Sequence, residues 1–376
     1  MLSGTMRVTR TVLLLAALGL LALTFTRLAD RTRAAEPAKD PVAAEFEHWS
    51  AFLRDETRTG GFWEQVRQAN LPVVAHAGED LKAGRRLLAL QRLASVRVNV
   101  SAMSYLSRLP ARQRQGMAGF EAEWARLGKT MRDDLRAPSP AAFEGVRPAA
   151  VRALAEASLP QVREYYDASL DYGRNTSPGD GLFYLATAQA QRELTDFFRT
   201  FSEPSPRPAP PLRALDPELD ALETEMLAAY RPPASIDRHG DFITTSATLK
   251  EARELNAAGL RYGALLRYLQ AAQSFAALRP AAPKPGAGAL AERLRGFGAR
   301  LSAGNTDHSI GRLFLETAQA QLAGAAPGTA PASAMAIAGD VLPRYFAALE
   351  PARPRPPAPA IPAPGLTVTL IRWPYT

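Results

Sequence analysis

The residues best suited to chemistry are four histidines, His48, His76, His239 and His308. Glu45 precedes His48 by three positions, the spacing with which helical bundles present a carboxylate and an imidazole to paired iron ions. A complete site of that kind needs a second Glu-x-x-His on another helix. Val73, Ile236 and Asn305 stand three positions before the other histidines, so Glu45 and His48 read as polar residues of an amphipathic helix. Asp307-His308 is another acid–imidazole neighbour, and a metal role there would belong to one half of the chain only. Asp133-Asp134 reads as a solvated last turn. Tyr165-Tyr166-Asp167 and Asp171-Tyr172 could stack on a sugar or an aromatic ligand, although helix packing uses the same residues. No Gly-rich phosphate loop, Gly-x-Ser-x-Gly elbow or His-Glu-x-x-His is present. The absence of cysteine excludes disulfides, thiolate metal sites and a Cys nucleophile. No catalytic residue, metal ligand or cofactor is assigned.

A duplicated segment carries the stronger signal. Residues 175–191 (NTSPGDGLFYLATAQAQ) and 305–321 (NTDHSIGRLFLETAQAQ) match without gaps at nine of seventeen positions, where chance gives roughly one or two. Each copy reads as a turn followed by a helix. Thr176 or Ser177, and Thr306 or Asp307, can accept from the first-turn amides. Gly181 with Ala188, and Gly311 with Ala318, form small-residue rows that permit a close helix crossing. The polar residues Asn175, Thr187, Gln189 and Gln191 recur as Asn305, Thr317, Gln319 and Gln321. Two readings follow: a pseudo-two-fold cleft holding a polar ligand, or caps and inter-helix hydrogen bonds kept from a common ancestor.

The elements that position these residues are helical. Apolar residues recur at helical spacing over 42–57, and a short helix follows over 62–69, ended by Asn70-Leu71-Pro72. A long helix is expected over 79–109, closed by Pro110; within it, residues 95–101 (SVRVNVS) alternate like a strand but are flanked by helix. Met117, Phe120, Trp124, Leu127, Met131 and Leu135 form one stripe over 112–136. Ser139-Pro140 caps the next helix, and residues 161–172 lead into the first copy. Residues 202–211 (SEPSPRPAPP) read as a semi-rigid linker. Beyond it come a helix from Asp216, a second long helix over 246–278, and helices over 289–302, 307–323 and 332–350, the last kinked at Pro343. Leu81-Lys82-x-x-Arg85-x-Leu87 is echoed by Leu249-Lys250-x-x-Arg253-x-Leu255. The expected fold is all-α: two tandem, duplicated bundles over 41–201 and 216–350, joined by 202–215.

The termini suggest location. Residues 11–26, from Thr11 to Thr26 (TVLLLAALGLLALTFT), lie uncharged between Arg10 and Arg27. As a helix they span about 24 Å against a hydrocarbon core of roughly 30 Å, and the arginines can snorkel across the difference. Thr32-x-Ala34 is a late cleavage site, so residues 1–40 are read as an uncleaved single-pass anchor in a bacterial inner membrane, with the body periplasmic. Secretion to the periplasm after cleavage is the alternative. The net charge of +8 is concentrated at the ends: residues 1–40 and 351–376 carry +3 each, leaving +2 for the body. A nucleic-acid partner is excluded on that balance. Residues 351–364 form a Pro/Ala run. Beyond them Leu366 to Trp373 (LTVTLIRW) alternates as a strand that must find an edge, either residues 241–245 or a protein partner's sheet. The expected function is a membrane-anchored, non-catalytic interaction or scaffold protein of the cell envelope. The alternative is a binding protein with a polar site between the repeats, ahead of a hydrolase or metal enzyme.

Overall fold

The structure, a computed structural model, describes residues 40–109, 116–135, 139–201, 207–276, 278–279 and 286–350. It begins on a helix cap: the Asp40 carboxylate accepts from Val42 N and Ala43 N at 2.9 and 3.2 Å. Pro41 then occupies the first turn of α1 (Pro41–Arg54), where its missing N–H has no helical partner to lose. All regular structure among the described residues is helical. Their contacts divide the chain into two units between Leu109 and Pro110.

In the first unit α1 packs with α2 (Gly61–Lys82) and α3 (Arg86–Arg108). The expected stop at Asn70-Leu71-Pro72 does not occur, and Pro72 lies inside α2. One backbone bond is lost there, but Val66, Val74 and Ala77 are buried on either side, and packing outweighs the local penalty. The single helix expected over 79–109 breaks instead at Gly84, whose φ of 72° suits a residue without Cβ. Arg85 N donates to Asp80 O at 2.8 Å and Gly84 N to Leu81 O at 3.0 Å, closing the α2 terminus. The alternating segment 95–101 is helical, within α3.

The second unit is built on a hairpin of α5 (Ala149–Asn175) and α6 (Pro178–Thr200), against which α4 (Met117–Leu135) packs. The hairpin closes at Gly181, where an added Cβ would lie 2.5 Å from Gly173 Cα and 2.7 Å from the Phe120 ring of α4. α7 (Asp216–Ala229), α8 (His239–Ala257) and α9 (Arg261–Phe275) follow, and both α8 and α9 pack on α5. The long helix expected over 246–278 is therefore two, broken at Gly259 with φ 76°. There Leu260 N donates to Leu255 O and Gly259 N to Asn256 O, repeating the turn at Gly84. The expected Leu-Lys echo is out of register with this. Its first member straddles the Gly84 turn, and its second lies within α8.

α10 (Ala287–Ser302) and α11 (Ser309–Ala323) pack on one another. They precede α12 (Ala332–Ala336), a π turn (Ile337–Val341) and α13 (Leu342–Leu349). The wider turn replaces the expected kink: it comes directly before Pro343, whose ring would clash with a carbonyl of the preceding α-helical turn. Residues 207–215, expected within a linker, run along this unit. Pro208 O accepts from Asp307 N and Pro210 O from the Tyr262 hydroxyl, both at 2.8 Å. Residues 241–245 are helical, so they offer no edge to a terminal strand. The anchor expected at 11–26 and the strand expected at 366–373 lie outside the described residues. No helix of the described residues is long and apolar enough to cross a membrane.

Candidate functional site

Helices that start on Pro148, Leu215 and Leu260 have no side-chain cap of their own. Each takes one from another element. Asp307 Oδ2 accepts from Ala149 N at 2.7 Å, while Ser309 Oγ accepts from Ala150 N at 2.8 Å, so the turn before α11 caps α5. Asn256 Oδ1, at the end of α8, accepts from Leu215 N at 2.9 Å. Glu156 Oε2, fully buried on α5, accepts from Gly263 N at 2.7 Å in the first turn of α9. Gly263 permits that approach, since a Cβ there would lie 2.6 Å from Glu156 Cβ. Burial pushes the Glu156 carboxyl pKa up, opposed by Arg152, whose Nε lies 2.8 Å away, and by the Gly263 amide.

Other partly or wholly buried carboxylates meet arginines. In the first unit Glu45 accepts from Trp49 Nε1 at 2.6 Å and from both Nε and Nη2 of Arg97. His48, three residues on, is exposed, with its ring edge-on to Trp49. The two therefore do not converge. Asp80 is bracketed by Arg85 and Arg92, each at 2.7 Å. In the second unit Asp340, on the π turn, and Glu225 share Arg279 and Arg344. Glu251 lies 2.8 Å from Arg267; burial raises the carboxyl pKa and lowers that of the guanidinium. Among the described residues, no three His, Asp or Glu side chains are grouped as metal ligands. His76 pairs with Glu79 on the surface, and the Tyr230 and Tyr345 hydroxyls lie 2.8 and 2.9 Å from His239 and His308. Tyr166 is buried and stacks on Trp124 at 5.2 Å.

The eight recurring polar residues have separate surroundings. Thr187 and Thr317 do the same thing, donating to the carbonyls of Phe183 and Leu313 one turn back. Asn175 donates to Asp171 on the surface, and Asn305 is exposed. Gln189 donates to Glu193, whereas Gln319 is exposed. Gln191 is nearly buried, and its Oε1 has no partner among the described residues. None of the eight bonds to another of them.

Gln321 leads to a concavity. Its Nε2 donates to Ser333 Oγ at 3.1 Å, and Gln273 Nε2 donates to the same oxygen at 2.9 Å. Ser333 lies on the wall of a groove of about 550 Å³ between α8, α9 and α12, beside Asp241, Thr244, Gln270 and Ser274. The polar part of the wall consists of amides, hydroxyls and one carboxylate, groups that orient a small polar ligand by hydrogen bonds, and Ala276, Ala332 and Ala336 complete it. Sequence reasoning found Gln321 but not its companions. Gln270 and Gln273 share one face of α9 by i, i+3 spacing, while Asp241 and Ser333 reach the groove only through tertiary packing. No protein-family model matches this chain, and comparison with curated proteins and with solved structures finds no similar protein.

Proposed function

We propose that this chain is a non-catalytic helical interaction module, held at a bacterial inner membrane by residues 11–26 with its body on the periplasmic side. The observation that carries the reading is the use of buried polar groups. Asp307, Asn256 and Glu156 each hold the N-terminus of another helix, which makes the second unit a stiff support. The apolar run between Arg10 and Arg27 supplies the tether, and residues 366–373 supply a strand for a partner's sheet edge. A duplicated helical element is also part of this reading, although both copies of the repeated segment fall within the second unit. Besides the 175–191 and 305–321 match, residues 83–92 (AGRRLLALQR) and 258–267 (AGLRYGALLR) share six of ten positions across equivalent turns.

Fractionation of cells producing the full chain tests the tether. The intact protein should stay with membranes through alkaline carbonate extraction, and a variant lacking residues 1–40 should be released. A full chain that washes off and begins after Ala34 is secreted after cleavage, and the tether is lost. Capture of envelope proteins by the full chain, compared with a variant lacking residues 366–373, tests the strand.

The second reading is a polar-ligand site. The groove at Ser333, within the second unit and beside Gln321, supports it. Gln273→Ala and Ser333→Ala should weaken any ligand that raises the melting temperature, without unfolding the unliganded protein. Loss of the fold in both variants would make them packing residues.

A further inference from the structure

The groove at Ser333 sorts its hydrogen-bonding groups by helix. α9 lies between the other two elements: it packs on α8, and its Gln273 bonds Ser333 of α12. On the α8 side stand Asp241 and Thr244, both exposed. The Asp241 carboxylate has no ion-pair partner among the described residues. Thr244 Oγ1 donates its proton to Gly240 O at 3.0 Å, so only its lone pairs are open to a ligand. This side accepts.

The α9 and α12 side mostly donates. Ser333 Oγ accepts from Gln273 Nε2 and from Gln321 Nε2, which fills both lone pairs and leaves its own O–H to donate. Gln270 Oε1 accepts from Arg267 at 2.9 Å, so its amide nitrogen is the part left open. Ser274 adds a hydroxyl, and Gln273 keeps its carbonyl oxygen as an acceptor.

Charge narrows the choice of ligand. The lining holds one carboxylate and no cation. The arginines nearby are engaged elsewhere. Arg267 faces Glu251 at 2.8 Å and donates to Ala157 O at 2.9 Å. Arg238, in the turn before α8, donates to Leu278 O at 2.9 Å, and Arg279 faces Glu225 and Asp340. An anionic ligand would meet Asp241 with nothing in the wall to offset the repulsion.

An ammonium meets the opposite. Its three N–H donors match the Asp241 carboxylate, the Thr244 lone pairs and the Gln273 carbonyl. A plain alkyl amine would leave Gln270, Ser274 and Ser333 without acceptors, whereas ring hydroxyls accept as readily as they donate. The alanines of the wall leave methyl surface for a carbon skeleton, and a volume of about 550 Å³ holds a small sugar.

We infer that this groove takes a small polyhydroxylated primary amine, an amino sugar, a class that rests on the polar-ligand reading above and narrows it. Its ammonium lies at Asp241 and Thr244, and its hydroxyls lie on Gln270, Ser274 and Ser333.

Isothermal titration of the full chain with glucosamine, N-acetylglucosamine and glucose tests this. The three share a ring and differ at one position, where only glucosamine carries a charge. Glucosamine should bind at least about tenfold more tightly than either neutral sugar. Asp241→Asn should remove that preference with helix content and melting temperature unchanged, since the side chain is exposed. Ser333→Ala should weaken glucosamine by about three- to tenfold and keep the preference. Equal binding of the three sugars, or a preference that survives Asp241→Asn, overturns the cationic class. If Ser333→Ala still weakens those sugars, the polar-ligand reading stands without it. Glucosamine binding that neither variant changes lies elsewhere on the protein and overturns both. Absence of glucosamine binding at millimolar concentration overturns the amino sugar alone, and the melting-temperature comparison of Gln273→Ala and Ser333→Ala then decides the groove by itself.

Discussion

The two copies of the repeated segment make the same turn and helix but are connected differently. In the first, Ser177 Oγ accepts from Asp180 N of its own helix at 3.1 Å, in the open. In the second, Asp307 takes the equivalent place, is buried, and reaches out of its helix to Ala149 N while also holding Ser309 N. One copy is capped locally, and the other is a junction on which α5 depends. Serine is too short to serve two helices, whereas aspartate offers two oxygens. A single change of side chain thus separates a local cap from a tertiary one.

The largest difference between the copies should appear there. Asp307→Ala leaves the buried donors Ala149 N and Ser309 N without that carboxylate, and should lower stability by about 2–3 kcal/mol. Ser177→Ala removes an exposed cap and should lower it by less than about 1 kcal/mol. Urea unfolding followed by helix content measures both. Equal losses would mean that Asp307 is only a local cap.

The close-crossing glycines give a smaller contrast. A Cβ at Gly181 meets the backbone of Gly173 at 2.5 Å, which cannot move without separating α5 from α6. At Gly311 the nearest atoms are side chains, Leu301 Cδ2 and Tyr345 Cε1, both at 2.7 Å, and side chains can rotate away. Gly181→Ala should therefore cost about 2–3 kcal/mol and Gly311→Ala about 1–2 kcal/mol. The reverse order in melting temperature would mean that the second crossing is the more rigid.

These particulars explain how far the chain could be read in advance. The caps and the glycine crossings were legible because a turn followed by a helix is written locally. So was the Met117–Leu135 helix, whose stripe is a period. Gly84 and Gly259 sit inside apolar patterns that look continuous, so the local sequence hides both turns. The Ala-Gly-x-Arg run shared by the two turns was the signal that could have found them. Pro72 and Pro343 misled in the opposite direction, because packing around α2 and the π turn before α13 absorb a lost hydrogen bond. Gln321 was identifiable as a recurring residue. The groove beside it was not, since Ser333, Gln273 and Asp241 lie far apart in sequence and meet only through the packing of α8, α9 and α12. The aromatic cluster of the α5–α6 hairpin is half legible: Tyr165 and Tyr172 lie one heptad apart on α5, but Phe183 and Tyr184 join them only when the hairpin closes.

The smallest effect separates the copies by charge. His308 stands where the first copy has Pro178, and its imidazole accepts from, or donates to, the Tyr345 hydroxyl at 2.9 Å. Burial lowers its pKa below the ordinary 6.5, and Arg207, Arg300 and Arg312 push the same way against Asp307. The folded state therefore favours the neutral ring, while the unfolded chain takes up its proton from 6.5 downward. The contribution to stability is complete above pH 6.5 and is lost as pH falls through the lower, folded value. His308→Gln keeps a polar partner for Tyr345 but cannot titrate, so it should flatten this slope and leave stability above pH 6.5 little changed. Urea midpoints on both sides of 6.5 measure the difference. If the parent and His308→Gln lose stability in parallel on acidification, the second copy carries no titrating group of its own, and the contrast with Pro178 is one of shape alone.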